Sequence, residues 1–291
     1  MRTAIEDERV NDKAGQTLLE VANLCVSFPA RDGMMQAVRN VDFTLGRERL
    51  GIVGQSGSGK STTGRAVLGL HAPPAQVTAD RLSLHGIDLR SLSRRAWRDI
   101  RGSRMAMIMQ DPKFSLNPIV RVGRQITEAY RLHRRASAAE ARKRALAMLD
   151  AVQIRDPEHV FDLYPHQLSG GMGQRVMIAM MLVAEPEILI ADEATSALDV
   201  SVQNSVLAIL DRLVAERGMG LIFISHNLSV VSSFCDRVLV MYGGRVMETL
   251  DAQNLGAARH PYTRALLASV PDLAHPRARL SVVTRDPAWL A

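Results

Sequence analysis

The sequence predicts an α/β fold, and two observations indicate it. A short apolar segment at 50–53 enters a glycine-rich turn at 54–61, and a helix is predicted directly after it, over 60–70. Further apolar strands, at 187–191 and 220–225, alternate with segments of helical pattern. Because strands that alternate with helices form parallel β-α-β units, the sequence predicts a parallel sheet covered by helices.

Other segments are predicted around this sheet. Residues 1–16 are polar and are expected to form a disordered arm. Apolar and polar residues roughly alternate over 17–45, which predicts a small antiparallel β region. A helical insertion is predicted at about 111–170. One domain would then cover 17–270, followed by an irregular tail at 271–291.

Three turn signals set the expected boundaries of elements. Arg31-Asp32-Gly33 has the residue types of a turn and is predicted to join the first two strands. Pro73-Pro74 is expected to end the helix after the glycine-rich turn, since proline cannot continue a helix. Gly86-Ile87-Asp88-Leu89 is predicted to turn into a helix around Trp97.

Composition places the chain among ordinary globular proteins and argues against several classes of function. The 291 residues are 47% hydrophobic and 23% charged, with a net charge of +6. Since the arginines are spread along the chain, the charge is interpreted as a solvated surface, and no nucleic acid is expected as a partner. Cys25 and Cys235 are isolated, which argues against a zinc or iron–sulfur site. The sequence shows no secretory signal and no bilayer-spanning apolar run, so a membrane role would need a partner.

The glycine-rich turn has the spacing of the phosphate-binding motif G-x-x-x-x-G-K-[ST]. Glycine permits a positive φ and a close backbone approach, so successive N–H groups can surround a phosphate at a helix start. Lys60 would reach the β- and γ-phosphates of a nucleotide, and the Ser61 hydroxyl would bind Mg²⁺. A glycine turn without a ligand is the alternative, but it does not explain Lys60-Ser61 at this place. The predicted nucleotide-binding residues of the loop are Gly54, Gln55, Ser56, Gly57, Ser58, Gly59, Lys60, Ser61 and Thr62.

A second group of candidates follows the apolar strands. Asp192 can hold Mg²⁺, and Glu193 can orient the attacking water or accept its proton. A strand followed by Asp-Glu is by itself more often a helix cap, but behind a phosphate loop the catalytic interpretation is stronger. Gln110 could reach the metal or water, and His226 could donate a hydrogen bond to the γ-phosphate. For both of these side chains a structural role stays open.

A second glycine-rich helix start lies at 168–174, where Ser169 is a predicted N-cap followed by Gly170 and Gly171. The same amide and dipole argument makes it a second anion cradle. Since one nucleotide has one γ-phosphate, the second cradle is interpreted as serving the nucleotide of another subunit. This interpretation predicts a two-fold dimer with two ATP molecules between its subunits. A helix start without any ligand is the alternative.

Taken in order, these motifs resemble the nucleotide-binding subunit of an ABC transporter over residues 18–269. The matching segments are GQSGSGKS, Gln110, LSGGMGQ, ILIADE, Ser196-Ala197-Leu198-Asp199 and His226. The resemblance implies a P-loop NTPase of α/β fold, with an N-terminal antiparallel β subdomain and an inserted helical subdomain. It also implies ATP and Mg²⁺ as cofactors, with Ser61, Gln110 and Asp192 at the metal.

Further roles follow from the resemblance residue by residue. Glu193 matches the catalytic glutamate, and His226 matches the switch histidine. Gln110 matches the residue that links Mg²⁺ to the contact with the membrane domain. Asp199 matches the dimer-contact loop, and Phe28 falls where the family stacks an aromatic ring on adenine.

The subfamily that the chain resembles is the peptide-importer ATPases. The supporting segments are Gln110-Asp111-Pro112 with Ser115-Leu116-Asn117-Pro118, Tyr164-Pro165-His166, Ala197-Leu198-Asp199-Val200 and His260-Pro261-Tyr262-Thr263. Importers of nickel and other small solutes share them. The resemblance implies two transmembrane permease subunits, a second ATP-binding subunit that is related or identical, and, indirectly, an extracytoplasmic solute-binding protein. It implies a peripheral position on the cytoplasmic face of the bacterial inner membrane.

Two positions depart from the family pattern. Gly173 stands where Arg or Gln is usual, and Ala194 stands where Pro often follows the glutamate. Neither removes a phosphate contact, so activity is still expected. A DNA-organising ATPase would carry a long coiled coil or zinc modules between its phosphate loop and its signature, and this interval has neither. A regulatory subunit without turnover is a third interpretation, against which the intact Glu193 and His226 argue. The sequence does not identify the solute.

Overall fold

A computed structural model describes residues 17–31, 33–110, 115–196 and 199–270, together with Asp286 and Trp289. The chain divides into two compact units. The first is formed by residues up to 91 and from 222 onward, and the second by residues 92–221. The predicted arm at 1–16 and nearly all of the predicted tail at 271–291 lie outside the described residues.

The first unit contains an antiparallel sheet. Its strands are β1 (Leu19–Ala30), β2 (Gly33–Leu45), β4 (Gln76–Thr78), β5 (Arg81–Leu84) and β6 (Ile87–Asp88). They are ordered β2-β1-β5-β6, and β4 also pairs with β1. β1 and β2 pair from Leu19 opposite Leu45 to Ala30 opposite Gly33, which confirms the predicted strand pair. Leu19, Leu24 and Val26 of β1 have no exposed surface, although irregularities in the register interrupt strict alternation between Val21 and Ser27.

A second sheet in this unit holds the strand that precedes the glycine-rich turn. β3 (Arg49–Val53) pairs in parallel with β10 (Arg237–Tyr242), and β10 pairs antiparallel with β11 (Arg245–Asp251). On its other side, β3 neighbours β9 (Gly220–Ile224), whose last residues belong to this unit. Leu50, Ile52 and Val53 have no exposed surface. The strand is therefore a rigid base for the turn that follows it.

Three helices of this unit are α1 (Lys60–Val67), α8 (Leu228–Phe234) and α9 (Pro261–Ala268). The prediction that Pro73-Pro74 ends α1 is wrong, because the helix stops at Val67. The chain leaves it at Gly69, whose φ is 60° and whose N–H bonds the Ala66 carbonyl oxygen at 2.9 Å. Glycine adopts this left-handed conformation at little cost, so it ends the helix first. The turn predicted at 86–89 is wrong in part, since Ile87–Asp88 pair with β5 as a strand.

The second unit is mainly helical. Its helices are α2 (Arg94–Ile100), α3 (Val122–His133), α4 (Ala138–Ala151), α5 (Pro157–Asp162), α6 (Gly170–Leu182) and α7 (Val200–Arg217), and its strands are β7 (Met105–Ile108) and β8 (Ile188–Asp192). β7 and β8 pair in parallel, from Met105 opposite Ile188 to Ile108 opposite Ala191. Every residue of β8 is buried, as expected for a parallel strand covered on both faces. α3, α4 and α5 lie within the segment at about 111–170 for which helical structure is predicted.

Candidate active site

The glycine-rich loop connects β3 to α1 in the first unit. Gly54, Gly57 and Gly59 have φ values of 152°, 80° and 99°, which L side chains rarely adopt. A Cβ on Gly54 would overlap the Met241 carbonyl oxygen, and one on Gly59 would lie 2.7 Å from the Ala37 carbonyl oxygen. Backbone angles and close backbone neighbours therefore both require glycine at these two positions.

α1 begins at Lys60 without a side-chain cap, because its N-cap residue is Gly59. The first N–H groups of a helix lack partners inside the helix, and an anion at that end is stabilised by them and by the helix dipole. Lys60 is 5% exposed, and its Nζ donates to the carbonyl oxygens of Gly54 and Gln55 at 2.7 and 2.9 Å. An uncapped helix start with a lysine held at the loop fits the phosphates of a nucleotide.

The other predicted loop residues lie around this cradle. Gln55 donates its backbone N–H to the hydroxyl oxygen of Tyr262 at 3.0 Å. Ser58 is buried, and its hydroxyl has no hydrogen-bond partner among the described residues. Ser61-Thr62 belongs to the first turn of α1, and Ser56 is exposed. The loop is thus fixed on its protein side and open at its outer edge.

Phe28, the predicted adenine-stacking ring, and His226, the predicted switch histidine, also lie in the first unit. The half-buried Phe28 ring packs edge-on against the His71 ring, with centroids 5.4 Å apart. His71 Nε2 lies 2.9 Å from the Thr62 carbonyl oxygen on α1. His226 follows β9 and is exposed, and the next residue, Asn227, caps α8. The sequence did not predict a role for His71, because no motif contains it and only folding brings it to Phe28.

The predicted carboxylates end β8 in the second unit. Asp192 is 2% exposed, and Glu193 has a φ of 50°, an uncommon conformation for a residue with a side chain. Gln110 Nε2 donates to the Ser196 hydroxyl at 3.4 Å, and that hydroxyl donates to the Glu193 carbonyl oxygen at 3.0 Å. The structure therefore connects Gln110 to the turn that carries Glu193. Ser196, to which the sequence motifs gave no role of its own, is the connection.

The second glycine-rich turn begins α6. Ser169 is its N-cap, and Ser169 Oγ accepts the Met172 N–H at 3.3 Å. A Cβ on Gly170 would meet nothing within 4 Å, while one on Gly171 would lie 2.8 Å from a side chain of α7. The turn borders a cavity of about 360 Å³ whose lining includes Arg175. Arg175 donates to the Gln153 carbonyl oxygen and the Ser205 hydroxyl, both at 2.7 Å, so it is the open backbone edge of the helix start that suits an anion.

Gln174 belongs to the motif LSGGMGQ, but like Ser196 it has no role predicted from the sequence. It lies on α6, is 1% exposed, and donates its side-chain amide to the Ala194 carbonyl oxygen. This bond joins the helix of the second glycine-rich turn to the residue after Glu193. The available signal was one polar residue on the apolar face of α6, since buried polar groups need partners.

The predicted site residues divide between the two units. The first holds the loop at 54–62, Phe28 and His226; the second holds Gln110, Asp192, Glu193 and 169–171, with Asp199 as the N-cap of α7. A lysine-bearing phosphate cradle on an α/β fold, together with a strand-end carboxylate pair, defines the class of phosphate-loop nucleotide hydrolases.

Comparison with known proteins narrows that class. The chain matches the family model described as "ABC transporter" over residues 38–196. It is 44% identical over 266 residues to the dipeptide transport ATP-binding protein DppD of Escherichia coli (strain K12), covering 91% of this chain and 81% of that protein. It is 48% identical over 264 residues to the glutathione import ATP-binding protein GsiA of Escherichia coli O1:K1 / APEC, covering 88% of this chain and 42% of that protein.

Solved structures give the same result. The chain is similar to the dimeric structure of MJ0796, a bacterial ABC transporter cassette, with a TM-score of 0.73 and 26% identity, covering 81% of this chain and 99% of that one. A post-hydrolysis structure of the same cassette bound to ADP and Pi matches equally well. The chain belongs to the ABC transporter family and is one of its ATP-binding subunits. In the described part of the chain, no helix has the length and apolar character needed to cross a membrane.

Proposed function

We propose that this chain is the ATP-hydrolysing subunit of an ABC transporter that imports peptides. The observation that carries the proposal is the loop at 54–61, whose glycine conformations and uncapped helix start fit the binding of a phosphate. The relative named for dipeptide transport, 44% identical along 91% of the chain, supports a peptide as the solute. The relative named for glutathione import supports the same chemical class, because glutathione is a small peptide.

ATP binding would use the first unit's loop. Backbone N–H groups of the loop and the Lys60 ammonium would neutralise the phosphate charge. Phe28, held edge-on by His71, would stack on adenine. The nucleotide-binding domain would comprise residues 17–270, with the helical insertion at about 111–170 facing the membrane subunits.

Ser61, Gln110 and Asp192 carry the oxygen atoms proposed for Mg²⁺, a cation that prefers oxygen ligands. Asp192 fits this role because a carboxylate that is 2% exposed at a strand end is stabilised by a nearby cation. Bound Mg²⁺ would supply charge neutralisation at the β- and γ-phosphates. The three side chains would orient that charge.

Hydrolysis would form a bond between a water oxygen and the γ-phosphorus and break the bond to the bridging oxygen of ADP. Glu193 would orient this water and accept its proton. The left-handed backbone at Glu193 and the bonds from Gln110 through Ser196 to the Glu193 carbonyl oxygen support a fixed backbone position for this residue. His226 would donate a hydrogen bond to the γ-phosphate.

The second glycine-rich turn is proposed to act on the ATP of another subunit. Ser169, Gly170 and Gly171 would contact the γ-phosphate of a partner ATPase, and this chain's loop would receive the partner's turn in exchange. The dimeric state named for the MJ0796 cassette supports such an arrangement. The partner would be a related chain or a second copy of this one.

The other proposed partners are two transmembrane permease subunits and, indirectly, an extracytoplasmic solute-binding protein. The chain would lie at the cytoplasmic face of the inner membrane as a peripheral subunit. ATP can drive transport only if it binds the closed ATPase dimer better than the open one, so closure would be passed to the permeases through Gln110 and the helical insertion.

Lys60→Ala tests the nucleotide site directly. ATP affinity measured by calorimetry on the full chain should fall at least about tenfold, since a charge-assisted contact contributes roughly 1.5–3 kcal/mol. Arg65→Ala removes an exposed cation from the same helix and is the matched control. Unchanged affinity in Lys60→Ala would contradict the assignment of the loop.

Reconstitution tests the solute. The chain would be purified with its co-expressed permease subunits, inserted into proteoliposomes, and supplied with its solute-binding protein. ATP-dependent uptake of a labelled dipeptide is expected, with glutathione and Ni²⁺ as the competing solutes. Uptake of Ni²⁺ without uptake of either peptide would replace peptide import with the nickel alternative.

A further inference from the structure

The segment His260-Pro261-Tyr262-Thr263 has no role in the proposed hydrolysis, yet it begins α9 beside the phosphate loop. Tyr262 is fully buried, and its hydroxyl oxygen accepts the Gln55 backbone N–H at 3.0 Å. The two residues are far apart in sequence and belong to the same unit. This contact joins the carboxyl-terminal part of the domain to the second residue of the loop.

Two side chains, Glu248 and His260, accept hydrogen bonds from backbone N–H groups at the start of α9. The Glu248 carboxylate on β11 accepts the backbone N–H groups of Arg259 and His260 at 2.7 and 3.2 Å. His260 Nδ1 then accepts the Tyr262 N–H at 3.1 Å and caps the helix. The segment is therefore anchored to the sheet before the Tyr262 ring reaches the loop.

Aromatic packing fixes the ring itself. Tyr262 lies 4.5 Å from the Tyr242 ring and 5.3 Å from the Trp289 ring, measured between centroids. Burial raises the pKa of the Tyr262 phenol, against the opposing effect of the Gln55 N–H bond. The phenol is neutral near pH 7 and can accept this hydrogen bond. A buried, packed ring has little rotational freedom, so the position of its oxygen is well defined.

We propose that Tyr262 is a positioning residue for ATP binding, because its hydroxyl oxygen holds the Gln55 N–H and so sets the phosphate loop in its binding conformation. The inference rests on the proposed function of the loop. Tyr262 does not touch the nucleotide. It acts by raising the fraction of molecules whose loop is ready to bind, and apparent affinity scales with that fraction.

The Gln55 N–H belongs to the second residue of the loop, and its bond to Tyr262 is part-buried. Gly54 and Gln55 supply the carbonyl oxygens that Lys60 contacts, so a rotation of this peptide also moves the lysine. Without the Tyr262 oxygen, the Gln55 N–H would need another partner, and alternative loop conformations would gain population. Nucleotide would then have to reorder the loop on binding.

Tyr262→Phe tests the inference, since it removes the oxygen and keeps the ring. In steady-state ATP hydrolysis, the KM for ATP should rise about three- to tenfold, the range expected for roughly one lost hydrogen bond, while kcat stays within about twofold. Tyr242→Phe is the matched control, because it removes a hydroxyl from the adjacent ring of the same cluster. Its KM should equal that of the wild type.

A second variant identifies the bond through which Tyr262 acts. Gln55→Pro removes the donor N–H, so adding Tyr262→Phe to it should change KM by less than about twofold. Unchanged KM in Tyr262→Phe, or a lower melting temperature and lower kcat at unchanged KM, would overturn the inference and leave only a packing role. An equal KM increase in both backgrounds would also overturn it. Failure of the wild type to bind ATP would instead refute the proposed function.

Discussion

The two glycine-rich helix starts differ in how they satisfy their first N–H groups. At the start of α1, the N-cap is Gly59 in a left-handed conformation, with no side-chain cap and with Lys60 directly after it. At the start of α6, the N-cap is Ser169 in an extended conformation, and its hydroxyl accepts the Met172 N–H. The first start has no side-chain cap, whereas at the second the Ser169 hydroxyl already accepts one of the N–H groups.

The glycines in the two places have different surroundings. Gly54 and Gly59 have positive φ values and close backbone neighbours, so the loop's own conformation depends on them. A Cβ added to Gly170 would have no neighbour within 4 Å, so its surroundings within the chain would accept alanine. A glycine that its own chain does not need is consistent with close approach by another molecule, as proposed for the partner's ATP.

Glu193→Gln should have the largest effect. It also tests whether both helix starts act on one nucleotide, because that arrangement requires an ATP-dependent dimer. Loss of the general base should lower ATP turnover by about 10² to 10⁴, while ATP affinity stays near that of the wild type. An ATP-dependent dimer should then accumulate in size-exclusion chromatography with the partner ATPase. Glu128→Gln, at an exposed ion pair on α3, is the control. Normal turnover in Glu193→Gln would remove its catalytic role.

Gly59→Ala should distort the loop at the first helix start and weaken ATP binding there. The new Cβ would lie 2.7 Å from the Ala37 carbonyl oxygen, at a φ of 99°. ATP affinity by calorimetry should fall at least about tenfold, and the free energy of unfolding should fall by roughly 1–3 kcal/mol. Gly86 has a φ of 76° and nothing within 4 Å of an added Cβ. Gly86→Ala therefore measures the cost of backbone strain at a position outside the phosphate loop. Equal ATP affinity in these two variants would contradict the requirement for glycine at 59.

Local features of this molecule were largely predictable from its sequence. The loop motif specifies a strand, a turn and a helix start within one short stretch, and the structure has them as β3, the loop and α1. The alternation of apolar strands with helices predicted parallel strands, and β3 with β10 and β7 with β8 do pair in parallel. Errors fell at element ends, where a single glycine, Gly69, ended α1 before the prolines.

Contacts between distant segments could not be predicted in the same way. His71 beside Phe28, Ser196 between Gln110 and Glu193, and Tyr262 at Gln55 each join residues that no motif spans. Sequence periodicity identifies which residues are buried, but it does not identify which buried group meets which. In the sequence, Tyr262 stands out only as part of a subfamily segment, and its bond to the loop is visible only after folding.

Gly170→Ala should have a moderate effect on ATP turnover, and this effect should come from the second helix start alone. Within the chain, alanine has open space and a better helix propensity, so stability should be unchanged or higher by up to about 1 kcal/mol. ATP affinity of the isolated chain should not change. Turnover with the partner ATPase should fall about tenfold, because the added methyl group would hinder approach to the partner's γ-phosphate. Unchanged turnover would mean that α6 starts without a ligand.

Ser169→Ala should give the smallest effect and the sharpest comparison. Loss of the cap should lower the free energy of unfolding by about 1 kcal/mol, measured by urea denaturation. Ser137 caps α4 in the same way, accepting the Glu140 N–H at 3.2 Å, so Ser137→Ala should lose the same stability. If Ser169 also contacts the partner's nucleotide, only its variant should show a lower rate of ATP turnover, by roughly threefold for one weakened hydrogen bond. Equal turnover in both variants would show that the Ser169 hydroxyl is a helix cap and nothing more.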